Sequence, residues 1–206
     1  MSSSVIIVGS GFAGMSAAAF MAKAGWQVTV IEKNSTPGGR ARQLNENGFS
    51  FDMGPSWYWM PDVFENYFKK FDKKVSDYYS LQRLDPSYRI YWDDGFTDVP
   101  ADYTAFKGMV NAFEPGAGKQ LDKYLNEAAI KYDVGINKLV HKPGRSISEF
   151  LDRDIFKGAF HFAIFTSLQN HIGRHFKNPR LRQLLEFPVL FLGALPENTP
   201  ALYSLM

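Results

Sequence analysis

The chain has 206 residues, with 23 Lys and Arg against 21 Asp and Glu, and the resulting net charge of +2 removes the electrostatic case for nucleic acid as a main partner. Hydrophobic residues make up 45%, enough for a globular core and too many for a chain disordered throughout. Cysteine is absent, which excludes disulfides, thiolate metal sites, cysteine nucleophiles and dithiol redox chemistry, and suits a reducing compartment.

The segment Met1-Ser2-Ser3-Ser4 carries no basic stretch, and the apolar run after it stops at Gly9, so no export signal is read here. The longest apolar run, Val189 to Leu195, falls short of the ~20 residues that a membrane-crossing helix needs. The expectation is a cytoplasmic protein, dissolved or held against a membrane face.

Val5-Ile6-Ile7-Val8 is a short β-branched run and reads as a strand buried on both faces, as in a parallel sheet. Gly9-Ser10-Gly11-Phe12-Ala13-Gly14 follows directly, then a helix rich in Ala and Met that ends near Lys23 and is closed by Gly25. Val28-Thr29-Val30-Ile31 is a second strand and ends at Glu32. Strand, glycine loop, helix, strand and acid in this order form a dinucleotide-binding βαβ fingerprint. Gly9 permits the tight turn, Gly11 lets a pyrophosphate approach the backbone, and Gly14 lets the helix pack closely on the strand. Glu32, 18 residues past Gly14, is placed to accept hydrogen bonds from ribose hydroxyls. The expected cofactor-binding residues here are Gly9, Gly11, Phe12, Ala13 and Gly14, with Glu32 and Lys33 at the strand end. The fingerprint alone does not separate NAD from FAD.

Thr36-Pro37-Gly38-Gly39-Arg40 resembles the paired-glycine motif of FAD-dependent amine oxidases and carotenoid desaturases. Gly48-Phe49-Ser50-Phe51-Asp52-Met53-Gly54-Pro55-Ser56 resembles a stretch of bacterial phytoene desaturases, and Tyr88 to Gly95 points to the same family. The resemblance runs along most of the chain, most strongly over residues 5–100. It implies FAD as the cofactor. It also implies a role in binding it for Gly39 and Arg40 at the pyrophosphate and for Gly54, Pro55 and Ser56 near the flavin ring. The fold implied is α/β: a Rossmann-like FAD-binding βαβ domain, begun by residues 1–75, with a partial, mainly helical α+β substrate and membrane-binding domain over 76–206. In that family the chain later returns to complete the cofactor domain. The sequence is therefore expected to be the N-terminal portion of a protein roughly twice its length, one that alone holds FAD weakly and turns over nothing.

Pro61-Asp62-Val63 opens a helix whose Val63, Phe64, Tyr67, Phe68 and Phe71 share a face. Tyr88–Trp92 and Phe96–Val99 flank Asp93-Asp94-Gly95 and read as a hairpin with an Asp-Gly turn. A helix is expected near 103–113, then a longer one with Leu121, Leu125, Ala128, Tyr132, Ile136 and Leu139 as its buried stripe. The loop His141–Gly144 is expected to end it. From Ser148 the chain reads as mainly helical, broken at Pro179 and Pro188.

The resemblance implies an enzyme that introduces C=C bonds into a long apolar polyene such as phytoene, by hydride transfer to flavin, in carotenoid biosynthesis. Such chemistry needs orientation and water exclusion more than acid–base pairs, and no catalytic residue is assigned. Aromatic residues, 16% of the chain, are available to line an apolar tunnel, Trp57, Tyr58 and Trp59 among them, or simply to fill the core. The alternatives are another amine-oxidase-like flavoenzyme, a carotenoid isomerase, and a truncated non-catalytic FAD-binding module. His171 and His175 have a spacing that suits a metal, but with no carboxylate nearby in sequence they read as exposed helix-face residues, and no metal site is assigned. Six Lys and Arg between Arg153 and Arg182, interleaved with Phe160, Phe162, Ile164, Phe165, Leu168, Ile172 and Phe176, read either as a basic amphipathic face on anionic lipid or as a solvated helix over a core.

Overall fold

The computed structural model describes residues 3–54, 57–136, 140, 145–146 and 166–205. The chain forms two compact units, Met1–Leu81 and Gln82–Met206.

In the first unit, β1 (Ser4–Val8), α1 (Phe12–Lys23) and β2 (Gln27–Ile31) form a βαβ unit with parallel strands, in register from Ser4 opposite Gln27 to Val8 opposite Ile31. Gly25 has φ +86°, a backbone conformation open to glycine at little cost, and its N–H bonds to the Ala22 carbonyl to end α1. The strand was expected to be buried on both faces. Val5 and Ile7 are half-buried, whereas Ile6 and Val8 stand 65% and 83% exposed. The reason is that α1 packs against the two strands while, among the described residues, no second layer covers the other face.

β3 (Gln43–Glu46) and β4 (Phe49–Asp52) are antiparallel and joined by Asn47-Gly48, with φ +52° and +83°. Both central residues in the left-handed region mark a type I′ turn, the form that matches strand twist. α2 (Pro61–Lys69) starts with proline at its first position, where the missing N–H has no helical acceptor to lose. Its aromatic face packs against rings of α1 and of the segment that follows. Phe20 of α1 meets Tyr67 at 5.9 Å and Phe71 at 5.0 Å, Phe12 meets Phe64 at 5.9 Å, and Phe68 meets Tyr78 at 4.9 Å. Each such pair contributes about 0.5–1.5 kcal/mol beyond area burial, so the Phe12 and Phe20 rings tie α1 to α2 and the turn after it.

In the second unit, β5 (Tyr88–Trp92) and β6 (Gly95–Val99) form a hairpin whose two-residue loop is Asp93-Asp94, Gly95 pairing with Trp92. Among the described residues four helices follow: α3 (Tyr103–Phe113), α4 (Ala117–Val134), α5 (Leu168–His175) and α6 (Pro179–Glu186). Asp102, Ser167 and Asn178 cap α3, α5 and α6 by accepting first-turn N–H bonds. Pro179 therefore begins a helix where a break was expected. Val110, Leu121, Tyr124, Leu168, Ile172, Phe176 and Leu181 form the core.

The buried stripe of α4 runs through Leu121, Tyr124, Ala128, Lys131 and Val134. Leu125, expected inside, is exposed. The 3.6-residue repeat starting at Leu121 passes through Tyr124 and Lys131, and the burial follows that repeat, polar tips included. Leu139 and the expected loop His141–Gly144 lie outside the described residues. Among the described residues, no helix is long and apolar enough to cross a membrane.

Candidate functional site

β1, the glycine loop and β2 place Gly9, Ser10 and Gly11 against Glu32 at the strand ends. The Gly9 N–H donates to the Ile31 carbonyl at 2.7 Å, and the Gly38 N–H to the Ser10 carbonyl at 2.9 Å. Gly9 turns out of β1 with φ +96°. A Cβ on Gly14 would lie 2.0 Å from the Gly9 carbonyl oxygen and 3.5 Å from Ile7 Cγ2, so no other residue fits between helix and strand.

Gly11 differs. Its φ is −74°, open to any residue, and an added Cβ would meet only the Gly39 Cα, at 4.0 Å. The protein itself does not need glycine there, so the space fits a group that comes close to the backbone. The same point receives the paired-glycine turn: a Cβ on Gly39 would stand 3.1 Å from the Gly11 Cα. The two glycine motifs thus meet backbone to backbone. No side chain caps α1, and its first turn holds no acid, so the N–H groups of this end are left to an anion. Phe12 and Ala13 are the first residues of that turn, both exposed. Arg40 is exposed beside Gly39, with no carboxylate pairing it among the described residues, and Lys33 is exposed past Glu32.

The Glu32 carboxylate accepts four hydrogen bonds. Oε2 takes the Ser10 N–H at 2.8 Å and hydroxyl at 2.7 Å; Oε1 takes the Asn34 N–H at 2.9 Å and side-chain amide at 2.8 Å. The Asn34 N–H first, then the Ser10 hydroxyl and N–H, hold its pKa at about 2, so it is ionised at any neutral pH. Sequence reasoning did not include Ser10 and Asn34. The signal available was a hydroxyl between two glycines and an Asn two residues past the acid, a spacing that suits a local turn.

A cleft of about 730 Å³ lies beside the paired-glycine turn, lined by Pro37, Ala41, Arg42, Asp52, Gly54 and Tyr79. Gly54, at φ +114°, has open space where a side chain would be. Pro55 and Ser56 lie outside the described residues. Trp57 and Trp59 stack at 6.2 Å, and desolvation first, then the 2.6 Å hydrogen bond between the Tyr58 and Tyr79 hydroxyls, raises the Tyr58 pKa.

The histidines of α5 differ from their expectation. His171 is only 5% exposed and His175 half-buried, and a carboxylate does accompany them. Glu127 of α4 places Oε2 3.6 Å from His171 Nε2 and 3.8 Å from His175 Nε2, and the three ligand atoms lie within 4.8 Å of one another. The fully buried Lys131 lies alongside. Its Nζ is 2.7 Å from the Ser204 hydroxyl, 3.3 Å from the Ala201 carbonyl and 3.3 Å from His171 Nε2, three acceptors for the three N–H bonds of an ammonium. A divalent ion on His171 would face that ammonium and be repelled by several kcal/mol even at an effective dielectric of about 20. The cluster is a polar network joining α4, α5 and the turn at 201–205. His141 and His161 lie outside the described residues.

The basic segment is described only from Thr166 on; Arg153, Lys157 and the aromatics before Thr166 lie outside the described residues. Within the described part, Leu168, Ile172 and Phe176 belong to the core, so that half of the helix is a polar surface over packed apolar residues. Arg180 pairs with both Asp94 carboxylate oxygens, whereas Arg174 and Lys177 are exposed.

Residues 7–73 match the family described as an NAD(P)-binding Rossmann-like domain. The chain is 42% identical over 204 residues to carotenoid 3,4-desaturase of Haloarcula japonica, covering 98% of this chain and 41% of that protein. It is 32% identical over 203 residues to 4,4'-diapophytoene desaturase (4,4'-diaponeurosporene-forming) of Staphylococcus aureus, covering 98% of this chain and 40% of that one. The chain thus spans about two-fifths of the length of the curated relatives it matches. Among solved structures, wild-type putrescine oxidase bound to putrescine aligns with TM-score 0.56 at 18% identity, over 100% of this chain and 41% of that one. An oxidoreductase from Methanosarcina mazei aligns with TM-score 0.52 at 16% identity, over 96% and 40%. These two likenesses concern the fold.

Proposed function

We propose that the chain is part of an FAD-dependent oxidoreductase that introduces C=C bonds into a long apolar polyene, as the names of the carotenoid desaturases it resembles suggest. The observation that carries this reading is the 42% identity to a carotenoid 3,4-desaturase along 98% of the chain. The site supports it. Gly9, Gly11 and Gly14 with the open end of α1 suit the pyrophosphate, and Glu32 suits the ribose. Gly39, Arg40 and Gly54 border the side on which the flavin would lie. FAD, when bound, supplies the hydride acceptor for the reaction. The chain's own part is to hold and orient it: the α1 N–H groups and Arg40 meet the phosphates, and Glu32 meets the sugar. In this reading the first unit is the cofactor-binding part and the second belongs to the substrate domain.

The test is to supply the full-length protein with phytoene or a partly desaturated carotenoid, FAD and lipid vesicles, and to separate the products. Desaturation lengthens the conjugated system, so the product absorbs at markedly longer wavelength. A product of unchanged hydrogen count and nearly unchanged spectrum would make the enzyme an isomerase and overturn the desaturase reading.

A polyene of this kind resides in membranes, so the reading includes a peripheral contact with a membrane face, on the cytoplasmic side. Two features of the second unit support it: the exposed cations Arg174 and Lys177, and the exposed apolar side chains Leu190, Phe191, Leu192 and Leu195. Arg174→Gln with Lys177→Gln in the full-length protein is expected to weaken binding to anionic vesicles about tenfold at low salt. Unchanged co-sedimentation would exclude these cations from the contact.

A further inference from the structure

An ionised carboxylate offers about four lone-pair positions, and those of Glu32 are all used within the chain. The four donors are not equivalent. The Ser10 and Asn34 N–H groups belong to the main chain, and Ser10 sits in a turn fixed by the Gly9–Ile31 and Gly38–Ser10 backbone bonds. The Ser10 hydroxyl and the Asn34 amide depend on side-chain torsions alone, and either leaves by a rotamer change. A ribose 2′,3′-diol brings two O–H donors and needs two of the four positions. The Ser10 N–H is held by its turn and the Asn34 N–H moves only with the main chain, so the two side-chain donors are the ones a diol displaces at least cost.

We propose that the side chains of Ser10 and Asn34 are internal stand-ins for the two ribose hydroxyls, a latch on Glu32 that swings off as the nucleotide enters. The proposal rests on the reading of Glu32 as the ribose acceptor and adds to it what competes for that acceptor. One hydroxyl and one side-chain amide already sit on the two oxygens, one on each, as a diol would. Each bond the sugar gains is therefore offset by one the chain loses. Ser10 and Asn34 are in this sense positioning residues: they set the affinity and pace of nucleotide entry without touching the reacting carbons.

The experiment uses the full-length protein freed of flavin and titrated calorimetrically with ADP and with 2′,3′-dideoxy-ADP. Ser10→Ala and Asn34→Ala are each expected to tighten ADP about three- to tenfold, since the sugar no longer displaces a preformed charge-assisted bond. Neither is expected to change the affinity for dideoxy-ADP, which brings no diol. Asn34 is exposed, so its substitution leaves packing intact even if loss of the buried Ser10 hydroxyl disturbs the turn. Unchanged or weaker ADP binding by Asn34→Ala, or an equal change for both nucleotides, overturns the latch. Glu32→Gln separates the two levels. If it binds ADP as tightly as the unaltered protein, the ribose reading itself has failed. If it weakens ADP while Asn34→Ala does nothing, only the latch has failed.

Discussion

Replacing Gly14 with alanine is expected to cost the first unit about 3 kcal/mol and to abolish dinucleotide binding. The added Cβ would lie 2.0 Å from the Gly9 carbonyl oxygen, an atom of the backbone turn, so either α1 lifts off the strands or the turn opens. Both movements displace the N–H groups at the start of α1. Gly11→Ala is the informative partner. Its backbone conformation suits alanine, and the nearest atom to the new Cβ is the Gly39 Cα at 4.0 Å. Stability should stay within about 0.5 kcal/mol of the unaltered chain. On the proposed reading dinucleotide affinity should fall about tenfold or more, because the methyl would occupy the approach to the pyrophosphate. Urea melts followed by FAD titration of the full-length protein check both. If Gly11→Ala binds FAD normally, the phosphates do not lie against this glycine.

That contrast shows why the dinucleotide half of the fold was readable in the sequence. Gly9, Gly14 and Gly25 act through backbone geometry and the absence of a side chain, and those properties belong to the residue itself. The strand, helix and second strand between them are short-range elements with clear periodicity. The Asn47-Gly48 hairpin was equally legible, since Asn-Gly is a strong local signal, but the segment from Gly48 was read as a family motif and its turn went unassigned. Other features are not local. The partners of Glu32 depend on where two small polar side chains point. Glu127 meets His171 and His175 only because α4 and α5 pack together, 44 residues apart at the nearer pair. The α4 stripe was misread for a related reason. Lys131 is tolerated inside because Ser204, Ala201 and His171 converge on its Nζ, and nothing within α4 announces those three partners.

The same network makes the second unit sensitive to acid. Burial first, then the charge of Lys131, lowers the pKa of His171 to about 4 from its ordinary 6.5. Burial lowers that of His175 as well, against the opposing pull of Glu127. At neutral pH His171 is uncharged in both folded and unfolded chains and favours neither. Below pH 6.5 the unfolded chain takes up a proton that the folded one refuses, so stability present above 6.5 is lost as the pH falls through about 4. The loss from His171 alone is about 3 kcal/mol, at a slope of roughly 1.4 kcal/mol per pH unit within the window. The expected result is that hydrogen exchange in α4 and α5 accelerates between pH 6.5 and 4 beyond its intrinsic pH dependence. His171→Gln keeps a polar side chain beside Lys131 but binds no proton, so its variant should start less stable and show a flatter profile over the same range. A profile for His171→Gln parallel to that of the unaltered chain would assign the acid sensitivity to another group. A flat profile in both would mean that His171 is protonated in the fold, which the ammonium 3.3 Å from its Nε2 opposes.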